Sequence, residues 1–365
     1  MLTELFDYSL PEELIAQSPG PRGQSRLLVL NRNTGLIQHR RFSDLPEYLR
    51  SDDTLVFNNT RVSARRIHGL RENGKPAEVL LLEPVGSNSW HVLVKPGVRV
   101  GQQITLRAGS GAKAGISANA GDKTMVCTVT AVTESGGRMI SVPDARLRDS
   151  LLSWGETPLP PYIKAVLSRD QEERYQTVYG RIEGSAAAPT AGLHFTDEMI
   201  TKLSEMGIRR AMVTLSVGVG TFRPVRSASI GDHEMHSEWM CVEQDAADAV
   251  NNAAGRVIAV GTTTVRALES SIHPKINAAA NSGCYPRAAP FVGRSNLFIS
   301  PGHAFRSIDG LITNFHQPKS TLLMMISAFA GRELIMKAYA EAVLHKYRFF
   351  SFGDAMLIIS GVKAN

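Results

Sequence analysis

Arg256-Val257-Ile258-Ala259-Val260-Gly261-Thr262-Thr263-Thr264-Val265-Arg266 holds the change of rhythm that decides the fold. A short apolar run reads as a buried strand, one glycine interrupts it, and the threonines open a helix. Strand, tight turn and helix in succession are the repeating piece of an α/β fold. Upstream, Asp245 to Ala254 reads as a helix, and Val213, Leu215, Val217 and Val219 alternate as a strand with one buried face would. Further upstream, Thr196 is placed to cap a helix with Asp197 and Glu198 in its first turn and Gly207 at its end. Downstream, Leu334, Ile335, Ala338, Tyr339, Ala342 and Val343 keep helical spacing, and Phe349, Phe350 and residues 356–359 predict a closing strand.

The first half is different. Residues 27–30 and 54–57 are compact strands, each followed by an Asn-containing turn. From about residue 66 to 150 the pattern is β: residues 79–82 and 91–94 flank a Gly86–Ser89 turn, and 103–106, 125–132 and 139–142 complete five short strands. Such a set makes a small antiparallel barrel or sandwich. The expected architecture is an α/β main domain with a mixed sheet, formed by residues 1–65 and 151–360, into which 66–150 are inserted as a small antiparallel β-barrel. Residues 108–121 and 276–289 read as low-complexity loop insertions.

Composition narrows the class. The three cysteines, Cys127, Cys241 and Cys284, are scattered and odd in number, which gives neither a disulfide framework nor a zinc spacing. The start of the chain lacks the basic and apolar regions of a signal peptide, and no apolar run approaches a membrane span. The expectation is a cytoplasmic, monomeric protein. The net charge of +6 is concentrated: ten arginines against four acids lie between Arg22 and Arg71, and the remainder of the chain balances. Arginine is the side chain best suited to forked contact with phosphate, so a polyanionic partner and an ordinary solvated face both fit.

Several residues could carry chemistry. Thr262, Thr263 and Thr264 at a helix start, with Arg266 one turn in, suit a carboxylate or phosphate; simple N-capping explains them as well. Gly218 and Gly220 fall on one face of the alternating strand and would let a flat ring approach, or only allow tight strand packing. His194 and His316 each stand on a loop just before a helix. His233 and His236, with Glu234 and Glu238, leave open a metal-dependent hydrolase, although that spacing alone is weak. A non-catalytic RNA clamp using the arginine zone is the other alternative. There is no Gly-x-Ser-x-Gly, phosphate-loop or Cys-x-x-Cys motif.

The longer motifs carry a resemblance. LPEELIAQ at 10–17, SRLLVL at 25–30, FNNTRV at 57–62, PLPPYI at 158–163, RYQTVY at 174–179, AAPTAGLHFT at 187–196, LITNFH at 311–316, STLLM at 320–324 and YRFFSFGDAML at 347–357 run in order through nearly the whole chain. Together they resemble the S-adenosylmethionine:tRNA ribosyltransferase-isomerases of queuosine biosynthesis. The resemblance implies that S-adenosylmethionine is a consumed co-substrate, with no separate cofactor and no metal. It implies transfer of the ribosyl part to 7-aminomethyl-7-deazaguanine at the wobble position of a tRNA, rearrangement to an epoxycyclopentane, and release of adenine and methionine. It also implies a β-barrel inserted in an α/β domain.

On this basis His194 and His316 are expected as acid–base residues, because a base near neutral pKa suits the acidified carbon beside the sulfonium. The expected S-adenosylmethionine site comprises Thr190, Gly192, Gly218, Gly220, Thr221, Thr262, Thr263, Thr264, Arg266, Asn314 and Asp354, the last, or the face of Phe195, as a partner for the sulfonium. Arg61, Arg65, Arg66 and Lys95 are expected to contact tRNA phosphates. No membrane and no obligate protein partner are expected. Two positions depart from the family pattern: Ser216 stands where a His is usual in Thr-Leu-His-Val-Gly, and Asn59 where Asp is. Any proton role of that His would pass to His194 or His316.

Overall fold

A computed structural model of the chain describes residues 1–63, 65–108, 123–133, 136–165, 168–218, 224–276 and 286–362, the Arg169 side chain excepted. Both expected loop insertions fall largely outside the described residues, as do Gly220, Thr221 and Cys284. The chain divides into a larger unit, residues 1–61, 160–182 and 188–365, and a smaller one, residues 62–159 and 183–187.

The larger unit is built on nine strands: β1 Arg26–Asn31, β2 Ile37–Arg41, β3 Thr54–Asn58, β4 Arg209–Leu215, β5 Glu238–Val242, β6 Val257–Val260, β7 Phe291–Ser295, β8 Gly310–Asn314 and β9 Ala355–Ile359. They form one mixed sheet in the order β7-β5-β4-β3-β6-β8-β9-β1-β2. The central run β4-β3-β6-β8 is parallel, β9 is antiparallel to β8 and parallel to β1, and both edges are antiparallel. Every residue of β3, β6, β8 and β9 is buried, as central strands covered on both faces must be.

Helices α1 Asp197–Glu205, α2 Gln244–Asn251, α3 Thr262–Ser271, α4 Thr321–Ala330 and α5 Arg332–Leu344 accompany the sheet. Thr196 caps α1 through its hydroxyl, which accepts the Met199 N–H at 3.1 Å. One core cluster joins Phe42, Phe57 and Phe195 to Val260, Ile312 and Leu357, so the strand ends that carry α3 and Asn314 are held by apolar packing from both halves of the sequence.

The alternation at 213–219 is corrected in extent. β4 ends at Leu215, and it begins at Arg209, where the sequence shows only charge. It lies between β3 and β5, so Val213, Thr214 and Leu215 are buried in succession and the period of two is lost.

The smaller unit is a closed antiparallel barrel of six strands. In order around the barrel these are Arg138–Ser141, Ser89–Lys95, Pro76–Val85, Arg66–Arg71, Gln103–Arg107 and Thr124–Val132. Closure comes from Arg138–Ser141, which pairs with both Ser89–Lys95 and Thr124–Val132. The sixth strand, Arg66–Arg71, carries no apolar run because three of its residues are basic or His; Ile67 and Gly69 are nonetheless its buried positions. A side chain at 69 would collide with the Thr105 carbonyl 2.5 Å away, so glycine permits this pairing. Ile67, Val79, Trp90, Ile104, Cys127 and Ile140 fill the interior. No helix among the described residues is long and apolar enough to cross a membrane.

Candidate active site

The C-terminal ends of parallel strands are where α/β sheets open clefts, and here β6 and β8 end side by side. Gly261 follows β6 at φ 91°, ψ 149°, a conformation that disfavours any side chain. Its N–H donates to the Ile312 carbonyl at 2.8 Å, which fixes the turn. Thr262 and Thr263 begin α3, so their N–H groups have no carbonyl one turn earlier to receive them. Both line a cleft of about 620 Å³, open mouth included, whose other walls include Tyr162, Thr190, Val217, Asn314, His316 and Phe350.

Asn58, at the end of β3, locks this helix start. Its fully buried amide accepts the Leu215 and Thr60 N–H groups at 3.1 and 3.2 Å, and donates to the Leu215 carbonyl at 3.0 Å and Thr263 Oγ1 at 3.1 Å. With a lone pair of Thr263 taken by Asn58, the threonine hydroxyl proton is left to donate into the cleft.

Asn314 ends β8 and is 2% exposed. Its Nδ2 donates to the Phe350 carbonyl at 3.0 Å and meets His194 Nε2 at 3.2 Å, while Oδ1 is buried without a partner among the described residues. Phe350 adopts φ 70°, unusual for a bulky residue. The bond its carbonyl accepts from Asn314 and the one its N–H gives to Phe315 O at 3.1 Å hold it there.

The two histidines separate. His194 belongs to a 3₁₀ turn, Thr190–His194, and both ring nitrogens are occupied: Nδ1 meets Ser25 Oγ at 2.7 Å and Nε2 meets Asn314. Nε2 accepts from an amide, so Nδ1 carries the proton and the ring is neutral. Burial pushes its pKa down to about 4; nearby Asp354 pulls the other way and Arg348 adds to the depression. His316 lines the cleft directly. Its Nε2 meets Thr313 Oγ1 at 2.8 Å and its Nδ1 has no partner among the described residues, while burial pushes its pKa down to about 3. Its backbone is fixed by Tyr339, which accepts its N–H at 2.8 Å, and by Tyr8, whose hydroxyl donates to its carbonyl at 2.5 Å.

Of the expected S-adenosylmethionine set, the structure thus gathers Thr190, Thr262, Thr263 and Asn314 around one cleft with His316. Others stand elsewhere. Thr264 turns its hydroxyl back to the Val260 carbonyl at 2.7 Å. Arg266 is buried, paired with Glu238 and bonded to the His236 and Ser295 carbonyls at 2.9 and 2.8 Å, so it is no free anion ligand. Gly218 faces the same Glu238, giving its N–H to Oε1 at 2.5 Å. Gly192 is required by packing, since a Cβ there would run into the Tyr179 hydroxyl. Asp354 is 1% exposed and accepts the Arg26 and Arg348 N–H groups at 3.0 and 2.8 Å, which makes it a latch and not an open partner for a sulfonium.

The expected tRNA contacts also divide. Arg65 is buried and donates to the Leu82 carbonyl at 2.6 Å, and Arg66 donates to the Leu159 carbonyl at 2.9 Å. The side chains of Arg61 and Lys95 make no hydrogen bond or ion pair with described residues, and Lys95 is exposed. His233 and His236 do not meet a third donor among the described residues. The grouping that does, His39, Glu341 and His345, shares no residue with the cleft, and the cationic Arg26 lies over the Tyr347 ring that bonds His39. The expected set omits Asn58, which fixes the helix start, and Tyr162, Phe350 and Ser351, which line the cleft. Asn58 had a signal, a polar amide closing an apolar strand, but it read as a turn.

Comparison with known proteins gives concordant results. The sequence model of the family described as "Queuosine biosynthesis protein" matches residues 3–358. The S-adenosylmethionine:tRNA ribosyltransferase-isomerase of Staphylococcus saprophyticus is 46% identical over 364 residues, covering 98% of this chain and 99% of that one. The protein of the same name from Carboxydothermus hydrogenoformans is 50% identical over 361 residues, 97% and 98% of the two chains. The crystal structure of the S-adenosylmethionine tRNA ribosyltransferase from Thermotoga maritima matches with a TM-score of 0.52 at 34% identity, covering 97% of this chain and all of that one.

Proposed function

The chain belongs to the queuosine biosynthesis protein family, and we propose that the cleft between β6 and β8 is where it holds S-adenosylmethionine for ribosyl transfer and isomerisation on tRNA. The observation that carries this placement is the uncommitted Oδ1 of Asn314, buried in a wall of the same cleft that Thr262 and Thr263 line. A buried acceptor without a donor is costly, and a ligand N–H or O–H would satisfy it. S-adenosylmethionine has such donors in its adenine amine, ribose hydroxyls and ammonium group. The free N–H groups of Thr262 and Thr263, with the Thr263 hydroxyl, suit its carboxylate.

The sulfonium acidifies the hydrogens on the adjacent ribose carbon. His316, with Nδ1 facing no partner among the described residues, is the side chain in the cleft placed to take one of them; burial keeps it neutral at physiological pH but leaves it a weaker base than the near-neutral one expected from the sequence. His194 acts one step back, as the positioning residue that holds Asn314 Nδ2. Adenine and methionine leave, and the ribosyl carbons pass, rearranged, to the 7-aminomethyl-7-deazaguanine amine at the wobble position. S-adenosylmethionine is consumed, and the work belongs in the cytoplasm with the tRNA pool.

The test is product analysis with S-adenosylmethionine and tRNA bearing the aminomethyl-deazaguanine base. Release of adenine and methionine that depends on the tRNA, with a matching mass gain on it, is expected. Methylthioadenosine or S-adenosylhomocysteine in their place would mean a different use of the ligand and would end this reading.

A further inference from the structure

On the other side of the His194–Asn314 pair lies a second cleft, of about 340 Å³ including its mouth, lined by Arg22, Ser25, Arg174, His194, Arg348 and Ser351 among others. Ser351 lines both clefts. Three guanidinium groups converge here with little to neutralise them. Among the described residues Arg22 is pinned by carbonyl oxygens, those of Leu193 at 3.0 Å, Gln176 at 2.5 Å and Arg174 at 3.4 Å. Arg174 donates to the Gly20 carbonyl, and its Nε is buried with no partner among the described residues. Arg348 alone has a carboxylate, Asp354 at 3.2 Å.

Three other arginines of the larger unit are closed by a carboxylate, whereas, among the described residues, part-buried Arg26 and Arg32 have none and lie over the Tyr347 and Phe329 rings instead. Arg256 is closed by Asp53 at 2.6 Å, Arg287 by Asp309 at 2.5 Å and Arg266 by Glu238. Burial, and then the like charge of Arg174, push the Arg22 pKa down, with Asp197 acting in the opposite sense. A polar group belongs to the same wall. His194 Nδ1–H donates to Ser25 Oγ, so the Ser25 hydroxyl proton is directed elsewhere and is available to the cleft.

We infer that this second cleft binds a phosphodiester of the tRNA strand next to the nucleotide being modified, with Arg174 and Arg348 as its forked ligands and Arg22 as fixed background charge. Convergent guanidinium donors match the tetrahedral array of phosphate oxygens. The shared wall places that phosphate beside the S-adenosylmethionine cleft. The inference rests on the functional reading above and adds a substrate-backbone site to it. The competing anion is the methionine carboxylate of S-adenosylmethionine, which in this assignment stays at the start of α3.

The experiment is a titration of fluorescent tRNA carrying the aminomethyl-deazaguanine base, over a series of salt concentrations, with S-adenosylmethionine binding measured separately by calorimetry. Arg174→Gln and Arg348→Gln are each expected to weaken tRNA binding several-fold and to lower the salt slope by roughly 0.7–0.9, the loss of one phosphate contact. S-adenosylmethionine affinity should stay within about twofold, and Arg174→Lys should recover the slope but not the whole affinity. Arg348→Gln also loosens Asp354, so Arg174→Gln, which gives up one carbonyl contact, is the deciding variant. An unchanged slope in Arg174→Gln overturns the inference while tRNA-dependent adenine release by the unaltered enzyme keeps the functional reading. Weakened S-adenosylmethionine binding with an unchanged tRNA slope also overturns it, in favour of the carboxylate. Failure of the unaltered enzyme to bind tRNA overturns both.

Discussion

Asn314 has two donor contacts and a bare acceptor, and that asymmetry yields a test at one residue. Asn314→Ala removes the acceptor along with the brace between His194 and Phe350, and kcat/KM is expected to fall roughly 10- to 100-fold, the worth of one buried ligand contact. Steady-state kinetics with both substrates checks this, and a value within twofold of the unaltered enzyme would move the ligand elsewhere. His194 gives a second test through pH. Its pKa drops from 6.5 to about 4, so the folded state refuses a proton that the unfolded chain accepts. Between those values the unfolded state binds more protons, so stability rises with pH across the window and is lost as pH falls from 6.5 toward 4. Comparing unfolding midpoints at about pH 5 and about pH 7, His194→Gln should show a weaker dependence than the unaltered chain. An equal dependence in both would mean His194 is protonated when folded. His194 and His316 are indistinguishable in the sequence, each a loop histidine before a helix. They are told apart by Ser25, Thr313 and Asn314, and Ser25 is 169 positions from His194.

At the scale of elements, legibility follows how local the cause is. Caps act within one turn, so Thr196 was readable. The flanking strand order acts over hundreds of residues, so the loss of alternation in β4 was not. The end of α5 is a local matter with a measurable consequence. Lys346 sits at φ 52°, its N–H donates to the Val343 carbonyl at 3.0 Å, and the Tyr347 N–H reaches the Ala342 carbonyl at 2.8 Å. This pair of bonds is the Schellman closure, which favours glycine at the left-handed position. The Lys346 side chain is exposed. Lys346→Gly therefore removes backbone strain without removing packing, and about 1 kcal/mol of added stability is expected. Denaturant unfolding of the larger unit measures it; a loss of stability would show that the lysine side chain contributes more than its strain costs. Gly192→Ala is expected to act in the opposite direction, because its methyl has no room beside Tyr179. Its soluble yield and melting temperature should both drop.

For the molecule as a whole, the sequence carried the fold class and the family, since hydrophobic runs and long motifs are linear signals. Charge is the signal that leaves two readings open: ten arginines between residues 22 and 71 fit a polyanion site and a solvated face alike. Folded, they serve separate purposes: Arg22 binds backbone carbonyls, Arg26 stacks 3.7 Å over Tyr347, Arg32 stacks 4.3 Å over Phe329, and Arg65 is buried. Linear charge density does not reveal whether a guanidinium ends in solvent or on a carbonyl. The basic site argued above draws two of its three arginines from positions 174 and 348, far outside the zone. This contrast makes Arg65 the most discriminating control. Arg65→Gln removes a buried donor to the Leu82 carbonyl and should destabilise the smaller unit by about 1–3 kcal/mol. The salt slope of tRNA binding should be unchanged, because a side chain 8% exposed cannot release a counterion to a phosphate it does not touch. A melting curve and a salt titration on the same preparation settle the matter. A reduced slope with intact melting would return phosphate binding to the zone the sequence advertised.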